Sequence, residues 1–186
     1  MLPSPEELKT ILEQELPGAS VAVEALPAAP GQQPTGAAQA GGAIVVAPKD
    51  LVAVCRYLKD TERFRMDYAA DITAVDYLPA APGQQPTGAV QAGPNEGQIV
   101  MVYHLYSISH KHGPITLKVK LDRNHPVVES VTPVWRAGEF QEREVYDLYG
   151  VRFEGHPDLR RILMWEEFQG HPMRKDYVPE DQNVLE

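Results

Sequence analysis

The chain has 186 residues, a formal net charge of −9 and 23% charged residues, long enough for one domain with a real core and not obviously for two. An acidic balance argues against nucleic acid, which wants a basic face. Cys55 is the single cysteine, so the chain alone makes no intrachain disulfide, iron–sulfur cluster or cysteine-based zinc site.

The opening Met1-Leu2-Pro3-Ser4 lacks the basic and apolar regions of a signal peptide. The longest apolar runs, 43–47 and 99–103, fall far short of the ~20 residues that cross a bilayer. Cytoplasmic synthesis and retention are therefore expected, with membrane association only through partners. Ser4, Pro5 and Glu7 read as an N-cap, a first-turn proline and a capping-box acid, opening a helix with Leu8, Ile11, Leu12 and Leu16 as its apolar stripe. Pro17-Gly18 ends it. Strands are expected at Val21–Leu26 and Ile44–Val46, and a second amphipathic helix over Pro48–Asp60, where Cys55 shares helical spacing with Leu51, Val54 and Leu58 and reads as a core thiol.

Two nearly identical segments interrupt this series. Residues 27–41 read PAAPGQQPTGAAQAG and 79–93 read PAAPGQQPTGAVQAG, differing only at Ala38 and Val90. Each lacks charge and aromatic residues, so neither buries enough apolar surface to offset its ordering entropy, and both read as flexible loops. Recognition as a proline-rich ligand is the weaker reading, because Pro27-Ala28-Ala29-Pro30 and its copy have no flanking basic residue.

Ile99–Ile108 and Ile115–Leu121 are expected to form a hairpin across Ser109–Pro114, with Ile115, Leu117, Val119 and Leu121 facing inward and Thr116, Lys118 and Lys120 outward. Val127–Trp135 reads as extended. Over Glu139–Tyr149 a helix is expected with Phe140, Val145, Leu148 and Tyr149 near one face, Glu139/Arg143 and Arg143/Asp147 as pairs four apart, and Gly150 as its stop. Beyond Val151 the chain reads as an irregular tail broken by Pro157 and Pro172. The fold class is α+β, a two-layer arrangement of helices packed on a mixed β-sheet with an extended irregular C-terminal tail. Residues 1–135 read as an α+β domain interrupted by the inserts 27–41 and 79–93, and 136–186 as a helix and partner-binding segment.

Catalytic patterns are poor. His104, His110, His112 and His125 with Asp122 or Glu129 make a metal-hydrolase reading, but His110-Lys111-His112 is no metalloprotease helix and Lys111 would repel a cation. His156 and His171, each in Gly-His-Pro, sit among cations better suited to carboxylate contacts. No phosphate loop or dinucleotide fingerprint is present.

Between Arg136 and Asp176 stand seven Lys/Arg and nine Asp/Glu, a dense and nearly balanced run that suits a docking surface. Glu142-Arg143-Glu144, Asp147, Gly150, Gly155-His156-Pro157-Asp158-Leu159-Arg160-Arg161 and Gly170-His171-Pro172-Met173-Arg174-Lys175-Asp176-Tyr177 resemble the signature of the 30 kDa-type subunit, the C-type subunit, of proton-pumping NADH:quinone oxidoreductase, respiratory complex I. Asp71–Pro79, Tyr103–His110 and Ser130–Arg136 fit the same family in order. Where the family often has Ala-Asn-Trp, this chain reads Ala137-Gly138-Glu139-Phe140, with Phe140 in the tryptophan's packing place.

The resemblance implies a non-redox, structural subunit of the peripheral arm at the cytoplasmic face of the membrane. It implies no catalytic residue, metal or cofactor on this chain, FMN and iron–sulfur clusters on partner subunits, and contacts with the large quinone-pocket subunit and other peripheral-arm subunits. The assembled enzyme would oxidise NADH, reduce quinone and move protons. A related membrane-bound hydrogenase or dehydrogenase complex would use the same scaffold. Glu142, Arg143, Glu144, Asp147, Arg160, Arg161, Arg174 and Asp176 are the expected interface or domain-fixing charges, with Trp135, Tyr149, Phe153 and Trp165 as apolar anchors, aromatic and arginine side chains being those that dominate interfaces.

Overall fold

The computed structural model describes residues 2–25, 42–79 and 97–179. Helix α1 (Pro5–Glu15) starts on the expected capping box, the Ser4 N–H donating to Glu7 Oε2 at 2.7 Å and the Glu7 N–H to Ser4 Oγ at 3.3 Å. Strands β1 (Val21–Ala25) and β2 (Gly42–Val46) pair antiparallel. The helix expected from Pro48 begins instead as a 3-10 turn over Pro48–Asp50, and α2 spans Leu51–Asp60. Asp50 leaves α2 without a side-chain cap because its carboxylate accepts the Ser20 N–H at 2.9 Å.

Strands β3 (Tyr68–Tyr77), β4 (Gln98–Ser107) and β5 (His112–Asp122) form an antiparallel meander, and β5 joins β2 in parallel, so the mixed sheet runs β1-β2-β5-β4-β3. Strand β3 was not foreseen as an element: a register shift between Ala69 and Asp71 interrupts its alternation. Ser107 pairs with His112, so the β4–β5 turn is shorter than Ser109–Pro114 and closes through Lys111 at φ 53°. The extended stretch expected to Trp135 stops at β6 (Val127–Glu129), after which the Trp135 N–H turns back to Val131 O at 2.8 Å. Helix α3 (Gly138–Tyr149) ends on Gly150 at φ 76°, and β7 (Arg152–Glu154), expected as irregular tail, pairs in parallel with β6.

One contiguous core lies between the helices and one sheet face. Leu8 and Leu12 of α1, Leu51, Val54, Cys55 and Leu58 of α2, and Val145 of α3 cover Ile99, Met101, Tyr103 and Leu105 of β4 and Ile115, Leu117, Val119 and Leu121 of β5, each large apolar side chain contributing ~1.5–3 kcal/mol on burial. Cys55 is fully buried, and burial, with Glu142 beyond it, pushes its thiol far up, so it stays a protonated core side chain.

The expected single buried face of the hairpin is a partial description. Thr116 and Lys118 on the opposite face are buried too, because β5 is central in the sheet and Lys118 Nζ reaches Glu24 Oε1 of β1 at 2.5 Å, with Lys120 Nζ at 3.1 Å from Oε2. Burial raises the Glu24 carboxyl, and the two lysines outweigh it and hold it below the ordinary range. The expected loop character of 27–41 and 79–93 falls outside the described residues, apart from Pro79.

Candidate docking surface

Helix α3 buries its charged side. Glu142, Arg143, Val145 and Asp147 are buried, whereas Phe140 is exposed and lies under Arg143, whose Cζ stands 5.7 Å from its ring centroid. The stripe of Phe140, Val145, Leu148 and Tyr149 therefore does not face the core as a unit. The pairs expected four apart are not made either. Arg143 Nε donates to Arg160 O at 3.1 Å, and Arg161 Nη1 reaches Asp147 Oδ1 at 2.6 Å. Contacts with the following segment outcompete pairs worth only ~0.2–0.5 kcal/mol each.

That segment, 155–179, crosses the end of α3 as an irregular strap. Asp147 is its main fastening: with 0% exposure, its Oδ2 accepts the N–H groups of Ile162, Leu163 and Met164 at 3.0, 2.8 and 2.9 Å. Burial raises the Asp147 carboxyl, but those three donors and Arg161 outweigh it and hold it below the aspartate range. The last carbonyls of a helix have no partner inside it, and here the strap supplies donors to all of the last three. Arg161 Nη1 (3.1 Å) and His171 Nδ1 (3.0 Å) reach Asp147 O, the Met173 N–H reaches Leu148 O (3.1 Å), and Arg174 Nε reaches Tyr149 O (2.7 Å). Because a carbonyl only accepts, His171 carries its proton on Nδ1, and burial, with Arg174 and Arg161 nearby, pushes its imidazole down. Positive charge at a helix C-terminus is also favoured by the macrodipole.

A second fastening joins the strap to the sheet. Asp76, at the far end of β3, pairs with Ile99 and is buried. Arg123 holds it with Nε–Oδ1 at 2.7 Å and Nη2–Oδ2 at 2.9 Å, and meets Asp176 from the other side at 2.6 and 3.0 Å. The Lys175 N–H donates to Asp76 Oδ2 at 2.8 Å. Within the strap, Trp165 meets Phe168 edge-on at 4.8 Å, Phe168 stacks on Tyr177 at 5.9 Å, and Arg161 lies over Phe168.

The expected site residues thus divide by placement. Glu142, Arg143, Asp147, Arg161, Arg174 and Asp176 make contacts within the chain; Trp135 is buried, donating Nε1–H to Met66 O at 2.8 Å, and Phe153 is buried in the core. Tyr149 is half-buried, and Glu144 and Arg160 are exposed. Trp165 is 64% exposed, and Leu163, Met173 and Val178 are exposed with it, so the strap turns large apolar side chains outward. Arg123, Asp76 and Ser130 were missed by sequence reasoning. Asp76 lies in the stretch Asp71–Pro79 that fitted the family, but its link to Arg123 crosses the β3–β4–β5 meander and leaves no local spacing.

The metal-site histidines do not converge on a ligand set among the described residues. His104 bonds Thr116, His125 stands 3.6 Å from Asp122, and His110 and His112 lie ring against ring at 5.5 Å. No described helix is long and apolar enough to cross a membrane.

Residues 44–183 match the model of the family described as respiratory-chain NADH dehydrogenase, 30 kDa subunit. The second of the C-type subunits of NADH-quinone oxidoreductase in Rhizobium meliloti is 42% identical over 142 residues, 76% of this chain and 69% of that one. The C-type subunit of NADH-quinone oxidoreductase in Moorella thermoacetica is 44% identical over 135 residues, 73% of this chain and 78% of that one. A solved chain of the membrane-bound sulfane sulfur reductase, an archaeal respiratory membrane complex, shares the fold, with a TM-score of 0.54 and 19% identity over 93% of this chain and 85% of that one. With three quarters of its length matched to one family, the chain belongs to the 30 kDa subunit family of respiratory-chain NADH dehydrogenase, part of an oxidoreductase complex.

Proposed function

We propose that the chain is a non-redox structural subunit of the peripheral arm of proton-translocating NADH:quinone oxidoreductase, and that its strap docks onto the large quinone-pocket subunit at the cytoplasmic face of the membrane. The observation that carries the reading is the exposure of Leu163, Trp165, Met173 and Val178 on a strap whose backbone is fixed at Asp147 and Asp76. Exposed aromatic and aliphatic anchors on an ordered segment lose little conformational freedom on binding. In this reading residues 136–186 are the partner-binding part, Arg160 and Glu144 sit at the polar rim, Arg143, Asp147, Arg161, Arg174 and Asp176 act on the partner by fixing the strap, and Glu142 fixes α3 to the loop at Ser130 and Val131. Flavin and iron–sulfur clusters belong to the neighbouring subunits.

Affinity purification of the tagged chain from its native membranes in mild detergent tests this. Co-elution of the quinone-pocket subunit with flavin and iron–sulfur subunits, together with NADH:quinone activity that Trp165→Ala strips from the eluate, is the expected result. Recovery with hydrogenase-type partners, or of the chain alone, would overturn it.

A further inference from the structure

The fastenings of the strap leave one buried acid unused. Glu142 has 0% exposure. Its Oε1 accepts the Val131 N–H at 2.7 Å and its Oε2 meets Ser130 Oγ at 2.6 Å. Both partners are neutral, and Glu142 takes part in none of the ion pairs among the described residues. Arg143, next to it on α3, points away to the strap carbonyls. The titratable groups that share its surroundings are Tyr103 of β4 and Cys55 of α2, both fully buried and both pushed up by burial with Glu142 adding to it, so neither supplies a counter-charge. The Tyr103 hydroxyl also has no hydrogen-bond partner among the described residues. From β3, Ile72 and from the loop, Val131 close the space around Gly138 beside the carboxyl.

A carboxylate taken out of water without a cation is costly, and the inexpensive way to relieve the cost is to bind a proton. We propose that Glu142 is a proton-binding site of this subunit, which couples proton concentration to the seating of α3 on the 130–135 loop. The site stands on burial, the neutral donors and the missing cation, independently of which subunit the strap meets. When protonated, the carboxylic acid donates to Ser130 Oγ and still accepts from Val131 N–H, so both of its oxygens keep a partner. Burial raises its pKa to about 7, the Ser130 and Val131 hydrogen bonds opposing the rise. The same helix carries Asp147, so the proton sits on the element that fastens the strap.

The direction of the linkage is fixed. A carboxyl whose folded pKa lies above its unfolded value near 4.5 gives stability that is fully present below that value and is lost as pH rises through about 7. Relative to Glu142→Gln, which keeps the shape and both hydrogen bonds, the folding equilibrium constant of the parent chain should fall about 50- to 100-fold between pH 5 and pH 8. Denaturant unfolding of the full chain at several pH values reads this, and carbon NMR of labelled glutamate carboxyls on the parent reads the titration directly should the variant not fold. A carboxyl midpoint between about 6 and 8 supports the site. A midpoint outside that range, or unfolding curves for parent and variant that run parallel from pH 5 to pH 8, would overturn it.

Discussion

Replacing Asp147 by alanine removes the acceptor of three backbone N–H groups and of the Arg161 guanidinium, all between 2.6 and 3.0 Å. Hydrogen bonds to a charged group contribute ~1.5–3 kcal/mol each, so the gross loss is about 6–12 kcal/mol. The variant need not suffer it in full: if the strap peels off, its amides find water, and the loss is capped at the free energy that fastened the strap. The expected outcome is a strap released in nearly every molecule and a β-sheet core that keeps most of its stability, with Arg123 still paired to Asp76. Hydrogen exchange reads the two parts separately. The Leu163 and Met164 amides should lose all protection while Tyr103 and Leu117 keep theirs, and trypsin should cut at Arg160, Arg161 and Arg174. Because the Asp147 carboxyl is held below its ordinary value, its stabilising share is present above the unfolded aspartate range and is lost only as pH falls below it. Acidification of the parent chain should therefore reproduce the variant, and the strap should remain closed at pH 5. Strap amides that stay protected in the variant, or a core that unfolds with them, would refute the reasoning.

Arg123→Ala leaves Asp76 buried without its cation, with only the Lys175 N–H to answer it, and should cost about 3–5 kcal/mol in denaturant unfolding, more than Asp176→Ala, because Asp176 is half in solvent. Gly150→Ala forces a positive φ on a residue with a Cβ and sets that Cβ 2.5 Å from His171 Nε2; a loss of about 1–2 kcal/mol is expected, with the strap loosened first, as hydrogen exchange at Met173 would show. Trp165→Ala should leave the melting temperature of the isolated chain within about 2 °C while reducing recovery of partner subunits, since an exposed surface side chain contributes little to folding and an aromatic anchor at an interface is worth ~2 kcal/mol or more.

Local signals carried much of the fold. Ser4, Pro5 and Glu7 mark α1 because a capping box is written in consecutive residues, and β5 announces itself through four inward aliphatic positions at period two. Strand β3 escaped because its alternation is shifted at Ala69/Asp71 and because its last buried residue is Asp76, which is polar. A buried acid on a strand makes sense only once Arg123, at the end of β5 two strands away, is beside it. Helix α3 was located by its composition and its glycine stop, yet its buried side was misjudged: hydrophobic periodicity assumes that charge faces water, and Glu142 and Asp147 face Ser130, Val131 and the strap. The charged signature was legible as a segment, whereas the fastening geometry depends on backbone N–H groups, which no side-chain pattern records.

The parallel pairing in the main sheet, Ile44 and Val45 of β2 against Leu117 and Lys118 of β5, sets an order for how the domain comes together in time. The β3–β4–β5 meander pairs neighbours along the chain and can assemble early, whereas β2 must close a loop reaching from before α2 to the end of the meander before its first bond rewards it. Newly made chains should thus pass through a species with a formed meander and an unpaired edge on β5. In that species β5, rich in aliphatic residues, presents a row of unpaired backbone N–H and C=O groups, an edge of the kind that templates aggregation while it is uncovered. Docking of the β1–β2 hairpin, with Glu24 brought to Lys118 and Lys120, is the event that ends that exposure.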